Sequence, residues 1–158
     1  MAGLSVTVDD RSAQALFARL EQFGRLDARL MRKVGLAAKQ EAYNAFRFEQ
    51  SPDGRPWPAL ANATLGARRR KGNHSIQPLV ATGAMYASIE AEATDTEATL
   101  TVGAGLPDKR AWYNQFGTLK APERPFLPLT TAGANPPQAW LDAVFAPLRE
   151  ALDEAMAG

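Results

Sequence analysis

The 158-residue chain contains no cysteine and a single histidine. Without cysteine it has no disulfide framework, no thiolate zinc site and no cysteine nucleophile, and it is compatible with a reducing cytoplasm. The single histidine, His74, has no second ligand at metal-binding spacing, so it is interpreted as an exposed loop residue. We therefore expect no metal and no cofactor.

Long apolar runs are also missing from the chain. The longest run falls far short of a membrane span, and the first residues show neither the charged nor the apolar region of a signal peptide. Charge of one sign is not in excess, because 18 Lys and Arg face 17 Asp and Glu. The whole-chain charge therefore does not favour nucleic acid. We expect a soluble protein made in the cytoplasm, with no membrane partner.

The motifs of common enzymes are missing as well. The chain has no Gly-x-Ser-x-Gly elbow, no Walker loop and no dinucleotide fingerprint. Glu90 and Glu92 share one face of a predicted strand, but threonines oppose them, so a solvated sheet face fits better than a catalytic carboxylate pair. We predict no catalytic residues and no enzyme activity, with a paired-carboxylate enzyme as the weaker alternative.

The chain does contain regular apolar patterns. Helical spacing predicts a first helix over residues 13–23 and a long second helix from an Asp27 cap to about Gln50. A strong apolar stripe predicts a C-terminal helix that opens at Pro136 and Pro137, and we expect Pro147 to kink or divide it.

Period-two alternation of apolar and polar residues predicts the strands. A short strand carries Leu4, Val6 and Val8, and a hairpin joins residues 89–93 to residues 98–102. Together the patterns predict one α+β domain over residues 1–158. It has an antiparallel sheet with a central hairpin, packed by the long N-terminal helix and a kinked C-terminal helix.

The sharpest charge feature is a run of four basic residues, Arg68, Arg69, Arg70 and Lys71. A short helix is predicted over residues 62–70, and the run is interpreted as part of an exposed, mobile basic loop around residues 66–76. The run can be a solvated surface, or it can contact phosphate or an acidic neighbouring subunit. No aromatic residue is interleaved in it, so stacking on single-stranded nucleic acid is poorly supported.

Aromatic residues concentrate in three segments bounded by proline or glycine. Trp57 lies between two prolines, where we predict a structural anchor for the chain that leaves the long helix. Core packing and partner contact both fit the other two segments, since large aromatics dominate cores and Trp, Tyr and Arg are favoured interface anchors. Their candidate subunit or partner contacts are Trp112, Tyr113, Phe116, Arg124, Phe126 and Leu127.

Four motifs follow one another in order between about Phe46 and Pro128: FEQSPDGRPWPAL, LVATGAMYASI, YNQFG and RPFL. In this order they resemble the phage virion morphogenesis family, the tail completion proteins of Mu-like and related tailed phages and prophages. Met85 departs from the pattern, which has Leu at that position, but Met is a mild exchange in a core.

The resemblance implies a structural protein of the tail end or the head-to-tail neck that acts through protein contacts. It implies other phage tail or neck proteins as partners, a homo-oligomeric ring, and DNA close by in a channel. The protein would lie in the host bacterial cytoplasm during assembly and then in the neck or tail of the virion. The alternative is a small nucleic-acid-binding protein that uses the basic loop.

Overall fold

A computed structural model describes residues 3–7, 11–106 and 109–158, without the side chains of residues 11–13. The helices are α1 (Arg11–Gln22), α2 (Ala28–Phe48), α3 (Asn62–Arg70), α4 (Ala84–Ala87), α5 (Arg110–Phe116) and α6 (Gln138–Ala157). The strands are β1 (Leu4–Val6), β2 (Glu90–Ala93), β3 (Ala98–Val102), β4 (Leu129–Thr130) and β5 (Gly133–Ala134). The predicted α+β class is confirmed.

Helix α2 begins and ends close to the positions that its N-cap residue and its apolar spacing predict. The Asp27 carboxylate accepts a hydrogen bond from the Leu30 backbone N–H at 2.8 Å, which satisfies one of the free donors of the first turn. The helix ends at Glu49, which adopts a left-handed conformation with φ of 53°. The predicted helix from Asp27 to about Gln50 is confirmed to within two residues.

The main sheet has the strand order β1-β3-β2 and is antiparallel throughout. Glu90 pairs with Thr101 and Glu92 with Thr99, as the alternation predicts, while Ala91 and Leu100 form a pair on the other face. That face meets α2, where Gly35 lies close to the Ala91 side chain. The hairpin prediction is confirmed. Val8, predicted to extend β1, lies outside the described residues.

Helix α6 packs on α2 and on α1. Pro137 is its N-cap residue and lies just before the first turn. Of the two predicted effects of Pro147, a kink or a division, the division is wrong, because α6 continues through Pro147 from Gln138 to Ala157. Buried residues on both sides of the proline, including Val144 and Leu148, hold the helix against the core, and this packing offsets the hydrogen bond that proline cannot donate.

The predicted short helix over residues 62–70 is confirmed as α3, so the overlapping prediction of a basic loop is wrong for residues 66–70. Arg68, Arg69 and Arg70 form the last turn of α3, and Lys71 is its C-cap residue. Basic side chains are favourable at this end of a helix because the last carbonyl groups carry partial negative charge. The predicted loop around residues 66–76 is therefore irregular only after Arg70, from Lys71 onward.

Candidate functional site

The segment after α2 folds back on the end of the helix. The backbone N–H of Trp57 donates to the Glu49 carbonyl at 2.7 Å, and the backbone N–H of Ser51 donates to the Arg55 carbonyl at 2.8 Å. Within this turn Arg55 and Asp53 form an ion pair at 2.7 Å. Partial burial acts to raise the pKa of Asp53, but the hydrogen bonds and charge of Arg55 outweigh it and lower the pKa. The ion pair and the hydrogen bond between Ser51 and Arg55 thus join residues of the same turn.

Trp57 is buried and belongs to an aromatic cluster that is centred on Phe46. Its ring meets Phe46 edge to face, with ring centroids 5.6 Å apart. Phe46 also packs on Phe126 at 5.4 Å, so one phenylalanine of α2 joins the two proline-bounded segments. The indole N–H of Trp57 donates to the Pro125 carbonyl at 2.8 Å, which satisfies the polar atom of a buried tryptophan.

Gln115 of α5 is 1% exposed and makes four hydrogen bonds to the main chain. Its amide nitrogen donates to the carbonyls of Leu127 and Leu129 at 2.8 and 3.0 Å. Its amide oxygen accepts from the N–H groups of Phe126 and Leu127, both at 3.0 Å. The Gln115 side chain therefore bonds the main chain of this extended segment in the way that the main chain of a neighbouring β-strand would.

Arg124 is 6% exposed and binds the segment that follows Trp57. Its Nε donates to the Pro58 carbonyl at 2.8 Å and its Nη2 to the Ala59 carbonyl at 3.0 Å. Trp57 thus donates to the RPFL segment, and Arg124 of the RPFL segment donates back to the residues that follow Trp57. We call Trp57, Gln115 and Arg124, with the main chain that they bind, the clamp.

Gly117 allows α5 to turn back toward the RPFL segment. Its φ of 74° and ψ of 178° lie in a region that is essentially restricted to glycine. A Cβ atom at this position would lie 2.9 Å from the Glu123 nitrogen and 3.2 Å from the Ala121 carbonyl oxygen. The glycine of the QFG motif is therefore needed for the turn that brings Arg124 to Pro58.

We predict that Gly117→Ala lowers the free energy of unfolding by about 2–4 kcal/mol, since it combines backbone strain with a steric overlap. Gly24→Ala is the matched control, because Gly24 also has a positive φ of 63° but has open space around its Cα. It is expected to cost about 1 kcal/mol. Urea denaturation of the two purified variants measures the difference, and equal losses would contradict the role assigned to Gly117.

The structure divides the six predicted contact residues into two groups. Phe126 and Leu127 are each 1% exposed, and Arg124 belongs to the clamp, so these three lie inside the domain. This burial favours the core alternative for the three residues, and their place at or beside a subunit contact stays a prediction. Trp112 and Tyr113 are 50% and 49% exposed, and Phe116 is partly buried with its ring 4.5 Å from that of Trp112.

The basic run is likewise divided. Arg68 is partly buried, and its Nη1 donates to the carbonyls of Ser75 and Gln77, both at 2.9 Å. It therefore fastens the segment after α3 to the helix. Arg69, Arg70 and Lys71 are exposed.

The sequence analysis missed Gln115, the residue with the most hydrogen bonds in the clamp. One local signal could have indicated it. Ala111 and Gln115 are one helical turn apart and are both buried, so the inward face of α5 places an amide where an apolar residue is usual. A buried amide needs partners, and the adjacent RPFL motif supplies them.

No group of three or more His, Asp or Glu residues in the described part of the chain could hold a metal ion. None of the helices described is both long and apolar enough to cross a membrane.

The fold and the clamp define an α+β scaffold in which buried hydrogen bonds join the RPFL segment to α5, the helix that carries the exposed Trp112 and Tyr113. A sequence model of the phage virion morphogenesis family matches residues 8–153, and the chain belongs to this family. The family is structural and is not known for enzymatic activity, so the chain is a phage morphogenesis protein associated with the virion. Comparison with the curated proteins and with the solved structures finds no significant match.

Proposed function

We propose that this protein acts in tail completion or in assembly of the head-to-tail neck, as a homo-oligomeric ring held together by protein contacts. Membership of the phage virion morphogenesis family supports a role among other virion proteins. The observation that carries the finer proposal is the outer face of α5, where Trp112 and Tyr113 stand half exposed. Leu119, in the turn directly after α5, is fully exposed.

Exposed aromatic residues on a rigid support suit a subunit contact. Trp and Tyr are enriched among the residues that dominate binding energies. The clamp fixes the segment that follows α5, so little conformational entropy is lost when a partner covers this face. We assign the α5 face, defined as Trp112, Tyr113 and Leu119, to the contact with a neighbouring subunit.

A closed ring needs a second, different patch on each subunit. Strand β2 has β3 as its one strand neighbour in the described part of the chain, and its outer edge can pair with a neighbouring chain. The exposed Arg69, Arg70 and Lys71 give a third surface, which we place toward a neighbouring phage protein or a DNA channel. In this proposal the protein folds in the host cytoplasm and ends in the neck or tail.

We predict that Trp112→Ala combined with Tyr113→Ala lowers the yield of complete particles about tenfold or more, since loss of one anchor residue commonly costs over 1.4 kcal/mol of binding. The measurement is complementation of a phage or prophage that lacks the gene, with infectious titre and negative-stain imaging of the particles. Stability should change little, because both side chains are half exposed.

The matched control is Phe23→Ala, because Phe23 is an aromatic residue of similar exposure that follows α1 and is not part of the α5 face. It should leave the yield unchanged. Wild-type yield from a stably folded Trp112→Ala, Tyr113→Ala protein would overturn the assignment of the α5 face. Particles that assemble normally with Arg69→Glu and Arg70→Glu, and that keep their DNA, would count against the third surface.

A further inference from the structure

A groove of about 590 Å³ opens between α3, α5 and the turn that precedes Arg124. Four basic residues line it: Arg68, Arg110, Lys120 and Arg124. No carboxylate is among the described residues of its lining. The rest of the wall is largely apolar and includes Leu60 and Leu79. The groove therefore combines positive charge with apolar surface.

Two of these guanidinium groups are held in place before any ligand arrives. Arg124 is fastened to the carbonyls of Pro58 and Ala59, and Arg68 to two carbonyls of the segment after α3. Neither forms an ion pair within the described part of the chain. Burial lowers the pKa of Arg124, and the positive charge of Arg68 lowers it further.

A buried cation without a carboxylate partner is unfavourable unless another group supplies negative charge. Carbonyl oxygens accept from Nε and Nη2 of Arg124, but they carry no net charge and leave the charges of Arg124 and Arg68 uncompensated. Fixed guanidinium groups are well suited to carboxylates, because the planar fork can donate two parallel hydrogen bonds to both oxygens. The charge of the groove thus calls for an anionic ligand.

The shape and the lining decide between anionic ligands. A volume of this size admits a short peptide segment or a small molecule, and the apolar wall can bury side chains beside the charges. A DNA duplex is bound mainly by exposed Lys and Arg that meet successive phosphates along its backbone. Such phosphates would meet Arg69 and Arg70, which are exposed, before they reached the buried Arg124.

We propose that this basic groove binds an acidic peptide segment, in which carboxylates alternate with apolar side chains, from another protein chain. The inference deepens the proposed function and rests on it only in taking that chain to be a virion component. The groove and the α5 face are separate surfaces, since Trp112, Tyr113 and Leu119 do not line the groove.

The test measures binding by the full-length protein with fluorescence anisotropy. The probe is a pool of short fluorescein-labelled peptides in which Asp or Glu alternates with Leu, Val or Phe. A matched pool carries Asn and Gln in place of the acids, and a short labelled DNA duplex is the third probe. We expect the acidic pool to bind at least about tenfold more tightly than its amide counterpart, and binding to weaken as salt is raised.

Lys120→Glu is the informative variant, because Lys120 lines the groove but its exposed side chain takes no part in the clamp. It should weaken binding of the acidic pool about fivefold or more. Lys33→Glu makes the same charge change on an exposed position of α2 and should have no effect. Unfolding curves of both variants should match that of the wild type.

Three results would overturn the proposal: no binding of the acidic pool, equal binding of the acidic and amide pools, or wild-type binding by Lys120→Glu. Tighter binding of the duplex than of the acidic pool, if Lys120→Glu also weakens it, would assign the groove to nucleic acid instead. Failure here is distinct from failure of the proposed function, because particle yield with the Trp112→Ala, Tyr113→Ala protein is measured without the peptides.

Discussion

Replacing Gln115 by Leu is expected to lower the free energy of unfolding by about 3–5 kcal/mol, although the two side chains are similar in volume. The substitution removes the amide that bonds the N–H groups of Phe126 and Leu127 and the carbonyls of Leu127 and Leu129. Of these four groups, the Leu127 carbonyl keeps a second donor, the Leu129 N–H at 2.8 Å. Each buried polar group left without a partner costs about 1–3 kcal/mol, and the costs are not fully additive. Urea denaturation of the purified protein provides the measurement.

Gln40→Leu is the matched control, because Gln40 is an exposed residue of α2 that bonds only to the neighbouring Asn44 side chain. Its effect should stay within about 0.5 kcal/mol. A loss below about 1 kcal/mol for Gln115→Leu would show that the amide fills space and does not hold the RPFL segment.

Gln115→Glu tests the donor half of the clamp separately. An ionised carboxylate can still accept from Phe126 and Leu127, but it would face the carbonyl oxygens of Leu127 and Leu129. The protonated form is favoured in the fold, so the folded pKa of the new carboxyl is raised above its unfolded value of about 4.3. The loss of stability relative to wild type should be smallest below that value and should grow as pH rises. A loss independent of pH would contradict the donor role.

Elements defined by neighbouring residues could be predicted from the sequence. The Asp27 cap and the apolar spacing up to Phe46 define α2, and alternation between Glu90 and Val102 defines the hairpin. These signals are local, because a cap bonds within one turn and a strand face repeats every second residue. The ordered motifs likewise indicated the family, and the match over residues 8–153 confirms it.

Long-range bonding of the clamp could not be predicted in the same way. Arg124 binds carbonyls 65 and 66 residues away, and Trp57 reaches a carbonyl 68 residues away. No periodicity connects positions so far apart. A proline-bounded aromatic residue such as Phe126 has the same local sequence whether it packs in a core or meets a partner. Phe126 is buried because Phe46 of α2 packs against it, and the local sequence does not encode this contact.

The basic run is a second feature whose contacts could not be predicted from its composition. Three consecutive arginines followed by Lys71 and Gly72 resemble an exposed loop by composition. The structure makes the arginines the end of α3 and turns Arg68 inward to two carbonyls of the next segment. A helix C-terminus tolerates basic residues well, so the charge carried no information against a helix.

Phe126→Ala is expected to lower the free energy of unfolding by about 3–5 kcal/mol, through lost burial and the cavity left against Phe46. Because Phe126 is 1% exposed, any loss of assembled particles in this variant would follow from instability and would not identify a subunit contact. Trp112→Ala removes a still larger ring but should cost less than about 1 kcal/mol, since half of that side chain already meets solvent.

A double-mutant cycle separates aromatic packing from cavity formation at Phe126. Phe46→Leu, Phe126→Leu and the double variant are compared by urea denaturation, since leucine keeps most of the buried volume. The ring contact at 5.4 Å should give a coupling energy of about 0.5–1.5 kcal/mol. Additive losses would mean that the two rings only fill neighbouring space. If Phe126→Ala were as stable as wild type, Phe126 could not be the core residue that joins the RPFL segment to α2, and its role as a direct subunit contact would return.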